Sequence, residues 1–311
     1  MKIGIIGRSS LMMNTIQKVV SEGHKISFII TSKEAPEYSV SNADFELMAE
    51  SLNCPFLYLP HFKNEIGKNF IDGCAKTDIC LSVNYSGVIP SEITDLFPLG
   101  ILNAHLGDLP RYRGNATGAW AIINGEEKVG LCIHKMVGGE LDSGDIVCKS
   151  YHDNDGDLRV GQLYDWMDIE IPVQFVQAIN LLQDSSYVLE VQDKDPELAL
   201  RTFPRQPIDG KINFEACALT IHRLVNASSE PFAGAFAFLK DKKIVIWRSS
   251  LVSIESKIQY IPGQIVECDK STGSVTVGCA GNTFLSIYDV EIDGIRDKPS
   301  RFIKSVRSRL S

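Results

Sequence analysis

Apolar residues in the first half of the chain fall into short runs, with helix-like stretches between them. Lys2–Gly7 is an apolar run closed by glycine, the pattern of a strand buried on both faces. Ser9 and Ser10 then offer N-cap chemistry for a helix reaching about Ser21, which Gly23 ends. Lys25–Thr31, Ile79–Val83, Gly100–Asn103 and Gly130–Met136 read as further strands. Helices are expected near Ala43–Leu52, Glu65–Cys74 and Thr117–Ile123. Strands alternating with helices imply βαβ units, and therefore an α/β, Rossmann-like doubly wound sheet that is mostly parallel.

The pattern changes after about Pro196. Arg201–Pro207 is broken by two prolines and reads as a linker. A helix over Leu219–Asn226 follows. Then come five short alternating runs: Phe236–Leu239, Lys243–Trp247, Gly263–Glu267, Ser274–Gly278 and Thr283–Ile287. Closely spaced short strands of this kind suggest a small all-β barrel or sandwich, and the expected form is a β-rich, OB-like barrel. The expected organisation is therefore a catalytic domain over residues 1–200, with the linker and β-rich domain over 201–311.

Composition narrows the function classes. The chain has 311 residues, 44% hydrophobic and 23% charged, which is ordinary for a soluble globular protein. None of the eight cysteines forms a C-x-x-C pair and no Cys/His spacing suits zinc, so no metal is expected. With neither a signal peptide nor a membrane-length apolar run, the expected setting is the cytoplasm, away from membranes. The formal net charge of −8 argues against a general nucleic-acid binder. From Arg205 onward there are 15 Lys+Arg against 11 Asp+Glu, a net of +4; the remainder carries 16 and 28, a net of −12.

Gly4-Ile5-Ile6-Gly7 stands where dinucleotide folds carry G-x-G-x-x-G. Its G-x-x-G spacing gives neither the tight turn nor the close pyrophosphate approach of that motif, so these glycines are read as packing positions. The chemistry is concentrated between Phe97 and Ile146. An apolar strand ends in Asn103-Ala104-His105, and alternation puts Asn103 and His105 on one side. In α/β sheets ligands sit beyond the carboxyl ends of strands, where these two side chains would project. A second strand leads into Val137-Gly138-Gly139-Glu140-Leu141-Asp142, and Asp142 meets His105 if the two strand ends are adjacent. His134, near a strand end, reads as a surface or satisfied core histidine.

Asn103-x-His105, Leu109-Pro110-x-x-Arg113-Gly114, Trp120 and Leu141-Asp142-x-Gly144-Asp145 together resemble the folate-dependent formyltransferase family, which includes methionyl-tRNA, glycinamide ribonucleotide and nucleotide-sugar N-formyltransferases. Arg205-x-x-x-Asp209-Gly210-x-Ile212 is similar to that family's interdomain segment, and Pro262-Gly263-Gln264-Ile265 to a stretch of its carboxyl-terminal domain. The resemblance implies 10-formyltetrahydrofolate as formyl donor. Its pterin would lie against Tyr85, Ser86, Gly87, Val88, Ile89 and Pro90, and against Val137, Gly138, Gly139, Glu140 and Leu141. It also implies that Asn103 and His105 stabilise a tetrahedral oxyanion, while His105 or Asp142 takes the amine proton. Arg113 reads as a loop brace and Trp120 as helix packing.

One departure bears on the acceptor. Transfer RNA and purine branches commonly read H-x-S-x-L-P, whereas this chain has His105-Leu106-Gly107-Asp108-Leu109-Pro110, placing Asp108 on the substrate side. The tRNA enzymes carry a basic insertion where Thr31–Tyr38 is acidic here, and tRNA demands phosphate-neutralising charge. A UDP- or dTDP-linked amino sugar is therefore the expected acceptor, in a bacterial surface-glycan route of pseudaminic-acid type. No nucleic-acid partner is expected, and a homodimer is allowed. The alternatives are a methionyl-tRNA formyltransferase and, with less support, a formyl-folate hydrolase or a non-catalytic folate-binding protein.

Overall fold

The computed structural model describes residues 1–34, 39–63, 65–255 and 257–311. The chain separates into two compact units. One comprises Met1–Thr117, Val129–His152 and Tyr164–Thr202; the other comprises Gly118–Lys128, Asp153–Leu163 and Phe203–Ser311.

In the first unit the elements run β1 (Lys2–Gly7), α1 (Ser9–Ser21), β2 (Lys25–Thr31), α2 (Asn42–Ser51), β3 (Phe56–Tyr58), α3 (Ile66–Asp72), β4 (Ile79–Val83), α4 (Ser91–Thr94), β5 (Ile101–His105) and β6 (Arg113–Gly114). Then follow α5 (Thr117–Asn124), most of which belongs to the second unit, β7 (Lys128–Lys135), β8 (Ile146–Asp153), α6 (Val160–Gln183) and β9 (Arg201–Thr202). Seven strands form one sheet in the order β3-β2-β1-β4-β5-β7-β8. The pairs β2/β3, β1/β2, β1/β4 and β4/β5 are parallel, and β7 runs antiparallel to β5. The β3, α4, β6, β8, α6 and β9 elements are not among those the sequence pattern predicts.

The parallel strands are largely apolar because helices cover them. Ile3, Ile5, Ile79, Leu81 and Leu102 are fully buried beside Met12 and Ile16 of α1 and Phe175 and Ile179 of α6. Each such side chain contributes roughly 1.5–3 kcal/mol of burial. Gly4 and Gly7 do serve packing. A Cβ on Gly4 would stand 2.4 Å from the Phe28 ring, and one on Gly7 would stand 2.5 Å from the Val83 carbonyl oxygen. The α1 N-terminus differs from expectation. Arg8 takes the cap position without a side-chain cap bond, while Ser9 accepts from Asn84 and Ser10 donates to Asp168.

The second unit holds α7 (Ala218–Ser228) against β10 (Ala235–Leu239), β11 (Lys242–Val252), β12 (Ile265–Cys268), β13 (Val275–Cys279), β14 (Thr283–Ile292) and β15 (Ile295–Asp297). Its antiparallel sheet runs β10-β11-β14-β13-β12, with β15 on β14. β10 and β12 are the edges of that path, and the chain terminus joins them. Leu310 bridges Leu239, and Arg309 bridges Gln264. Pairing both edges removes the open backbone groups of an exposed strand. Ile221 and Val225 of α7 share a core with Ile244, Ile246, Leu285 and Ile287.

Candidate active site

β5 carries two polar side chains at its carboxyl end, and β7 supplies a third across the pair. Asn103 lies in register with His134, and His105 with Cys132. The Asn103 Nδ2 and His134 Nε2 atoms are 3.2 Å apart. His134 Nδ1 faces the carbonyl oxygen of Lys135 at 3.1 Å, which can only accept, so Nδ1 carries a proton. Nε2 stands between Asn103 and Asp142, accepting from the amide when the ring is neutral and donating to the carboxylate when it is protonated. One N–H of the Asn103 amide is thereby fixed, and its orientation with it. His134 is 1% exposed with both ring nitrogens partnered, the satisfied core histidine among the two sequence readings, and one of its partners is the Asn103 amide.

Asp142 reaches the same place by a route that spacing does not suggest. Because β7 is antiparallel to β5, it ends beside the start of β5, where the Met136 amide donates to the Ile101 carbonyl. The strand ends next to His105 and Asp142 are thus not neighbours; the loop turns back to bring them together. Gly144 makes that turn possible. A Cβ there would fall 1.7 Å from the Lys135 carbonyl oxygen, so only glycine lets the loop lie on the strand. Asp142 itself takes φ +48°, and its Oδ2 accepts from the Gly114 amide at 2.9 Å. Its carboxylate stands 3.5 Å from His105 Nδ1 and 3.7 Å from His134 Nε2.

The electrostatics assign protonation states. Burial lowers the His105 pKa, and the Asp142 carboxylate only partly offsets this, so the imidazole is neutral at neutral pH. Its Nε2 is 2.7 Å from the Tyr112 carbonyl oxygen and must carry the proton. Nδ1, facing Asp142, is left able to accept one. Burial raises the Asp142 carboxyl, but the hydrogen bond to His134, the charge of His105 and the Gly114 amide outweigh it, holding the pKa down to about 2. The pair is a neutral base beside a fixed negative charge.

The remaining residues singled out in the sequence fall into three groups. The two segments proposed for the donor come together, with the Gly139 amide donating to the Ile89 carbonyl at 3.2 Å. The approach is close enough that a Cβ on Gly138 would stand 2.3 Å from Ser91 Cα. Val88, Val137 and Leu141 are exposed apolar side chains on these segments, whereas Ile89 is buried. Tyr85 donates to the Leu59 carbonyl, Ser86 to Ser32, and a Cβ on Gly87 would touch the Pro60 carbonyl, so this end of the segment is anchored to the fold. Pro90 takes the cap position before α4, and Glu140 accepts from Ser143.

Asp108 does not project freely, since its Oδ1 accepts from Tyr151 of β8 at 2.9 Å. Arg113 donates to Gln192 at 2.7 Å. Trp120 lies in the second unit, where its indole donates to the Phe203 carbonyl. Of the Thr31–Tyr38 segment, residues 35–38 lie outside the described residues.

Comparison with known proteins shows the family. The formyl transferase family model matches residues 1–179, and the model of the formyl transferase C-terminal domain matches 205–306. The chain belongs to the formyl transferase family. Its members are folate-dependent enzymes that place a formyl group on an amine. A methionyl-tRNA formyltransferase of Alkaliphilus oremlandii is 26% identical over 298 residues, covering 94% of this chain and 93% of that protein. An N-formyltransferase from Helicobacter canadensis, solved with folinic acid and dTDP-3-aminofucose, has the same fold with a TM-score of 0.66. Its identity is 16%, and the match covers 92% of this chain and 98% of that one. HypX from Aquifex aeolicus, solved with tetrahydrofolic acid, shares the fold at a TM-score of 0.61 and 16% identity. The match takes in 96% of this chain, which spans 46% of HypX.

Proposed function

We propose that this protein transfers the formyl group of 10-formyltetrahydrofolate to the amine of a UDP- or dTDP-linked amino-deoxy sugar, with Asn103, His105 and Asp142 at the reacting centre. The observation that carries the chemistry is the pairing of a buried neutral His105, open at Nδ1, with an ionised Asp142 at 3.5 Å. The amine adds to the formyl carbon as the carbonyl electron pair moves to oxygen. The free N–H of the Asn103 amide is the donor that oxyanion would meet, and a donor of this type is typically worth ~10²–10³ in rate. The amine's proton passes to His105 Nδ1, where Asp142 stabilises the resulting imidazolium. Asp142 itself, with a pKa of about 2, is too weak a base for the task. When the oxyanion collapses, the bond from the formyl carbon to the folate nitrogen breaks, and that nitrogen takes the proton.

For the donor, the joined segments around Val88–Pro90 and Val137–Leu141 offer exposed apolar side chains and closely approached backbone to a flat heterocycle. For the acceptor, three things support a sugar nucleotide: the −12 charge outside the tail, the Leu106-Gly107-Asp108 sequence, and the fold shared with an enzyme solved with dTDP-3-aminofucose. A nucleoside diphosphate needs only one or two cationic contacts, which an acidic domain can supply. Residues 1–200 are assigned the reaction and 201–311 a linker and companion domain. All eight cysteines are free thiols, which fits a reducing cytoplasm. Among the described residues no helix is long and apolar enough to cross a membrane.

The second reading, methionyl-tRNA formyltransferase, is favoured by the near full-length match to a relative of that name. A screen separates the two. Amino-sugar nucleotides and charged initiator tRNA are each incubated with the protein and 10-formyltetrahydrofolate, and mass spectrometry looks for a gain of one formyl group. Modification of an amino sugar supports the proposal. Modification of the tRNA alone overturns the acceptor assignment.

A further inference from the structure

Gln192 lies in neither of the two matched segments, yet it is 4% exposed and all of its polar capacity is directed at the site. Its Nε2 donates to the carbonyl oxygens of Asp142, at 2.9 Å, and Gly144, at 2.6 Å. Its Oε1 accepts from Arg113 at 2.7 Å. One carboxamide therefore ties together the loop that carries Asp142 and the strand β6, whose Gly114 amide holds the Asp142 carboxylate.

The chain around Gln192 is fastened at both ends to those same two segments. Glu190 forms an antiparallel bridge with Ile146, just past the Asp142 loop. Arg201 and Thr202 pair with Arg113 and Gly114. The Thr202 hydroxyl adds a bond to the Asn115 carbonyl. Residues 190–202 thus form a strap across the loop. Asp142 needs such restraint, because a non-glycine residue at φ +48° persists only where its surroundings over-determine it. The Gly114 amide restrains the carboxylate, and Gln192 restrains the backbone from which it projects.

We propose that Gln192 is a positioning residue for formyl transfer, fixing the Asp142 loop so that the carboxylate stands against His105 Nδ1. This rests on the reading of Asp142 and His105 as the reacting pair. A structural brace would lower stability alone. A positioning residue must also change the charge His105 experiences, because Asp142 is the group that favours its imidazolium.

The test uses the full chain with ¹³C-labelled histidine rings, and needs no substrate. His105→Ala identifies the His105 signal among the six histidines. Its titration is then followed in the wild type, in Asp142→Asn and in Gln192→Met, which keeps the side chain's length but removes its donor and acceptor. Asp142→Asn should move the His105 midpoint down, having removed the carboxylate. Gln192→Met should move it in the same direction, by about half a pH unit or more, while histidine signals away from the site keep their wild-type positions. If Gln192→Met leaves the midpoint at its wild-type value while Asp142→Asn shifts it, the proposal is overturned. If Asp142→Asn shifts nothing, the underlying pairing of Asp142 with His105 fails instead. Should the Met variant not fold, Gln192→Leu takes its place with the same expectation, and an unchanged midpoint there counts equally against the role.

Discussion

Replacing Asp142 with Asn tests the electrostatics of the site through stability, with no need to know the acceptor. The substitution keeps the shape and leaves an oxygen for the Gly114 amide, but it removes the charge. In the folded chain the carboxyl has a pKa of about 2, against 3.8 for an unperturbed group. The sign follows from that depression. The unfolded chain binds the proton more readily, so the ionised group stabilises the fold above the unfolded value, and this advantage disappears as pH falls through the folded one. The difference corresponds to about 2 kcal/mol at neutral pH, of which about half is gone by pH 3. The stability gap between wild type and Asp142→Asn should therefore narrow by about 1 kcal/mol between pH 6 and pH 3. Urea unfolding read by hydrogen exchange in β1 and β4, the central strands of the first unit, measures that gap. A gap that stays constant across this range would show that Asp142 is not held ionised by His134, His105 and Gly114.

Two further outcomes follow from the same geometry. Since burial lowers the His105 pKa and the base must be neutral, the acid limb of the kcat/KM profile should have its midpoint below 6.5, the ordinary histidine value. A midpoint at or above 6.5 in the pH–rate profile would exclude His105 as that base. Gly138→Ala places a methyl 2.3 Å from Ser91 Cα and must push the two proposed donor-binding segments apart. It should weaken folinic acid binding about tenfold or more, since overpacking by one methyl typically strains a site by ~1–3 kcal/mol. Calorimetry showing wild-type affinity would place the donor elsewhere.

The parallel half of the sheet is legible in the sequence because each buried strand is a short, mainly apolar run, and β1, β2 and β4 occupy the predicted positions with the same ends. Asn103 and His105 are legible for a related reason: alternation fixes which residues share a side before any partner strand is known. His134 is different. Its role depends on standing opposite Asn103 across an antiparallel pair, and one sequence does not say which strands pair or in which direction. The only local signal is a titratable residue inside the apolar run Leu131-Cys132-Ile133-His134.

The 24-residue α6 carries helical spacing at Met167, Ile171, Phe175 and Ala178, but Pro172 in its middle argues against a continuous helix by local rules. Tertiary burial of that face against the sheet prevails. Gln192 is the extreme case. It is a polar residue in a polar stretch, and its importance comes wholly from the carbonyls and the guanidinium that the fold brings to it.

The central claim is that His105 performs the proton transfer of formyl transfer while contributing little to holding the donor. Single-turnover transfer from 10-formyltetrahydrofolate, measured beside folinic acid affinity in the wild type and in His105→Ala, tests it most directly. The account predicts a fall in rate of at least ~10² with donor affinity retained. Near-normal turnover in His105→Ala would contradict it.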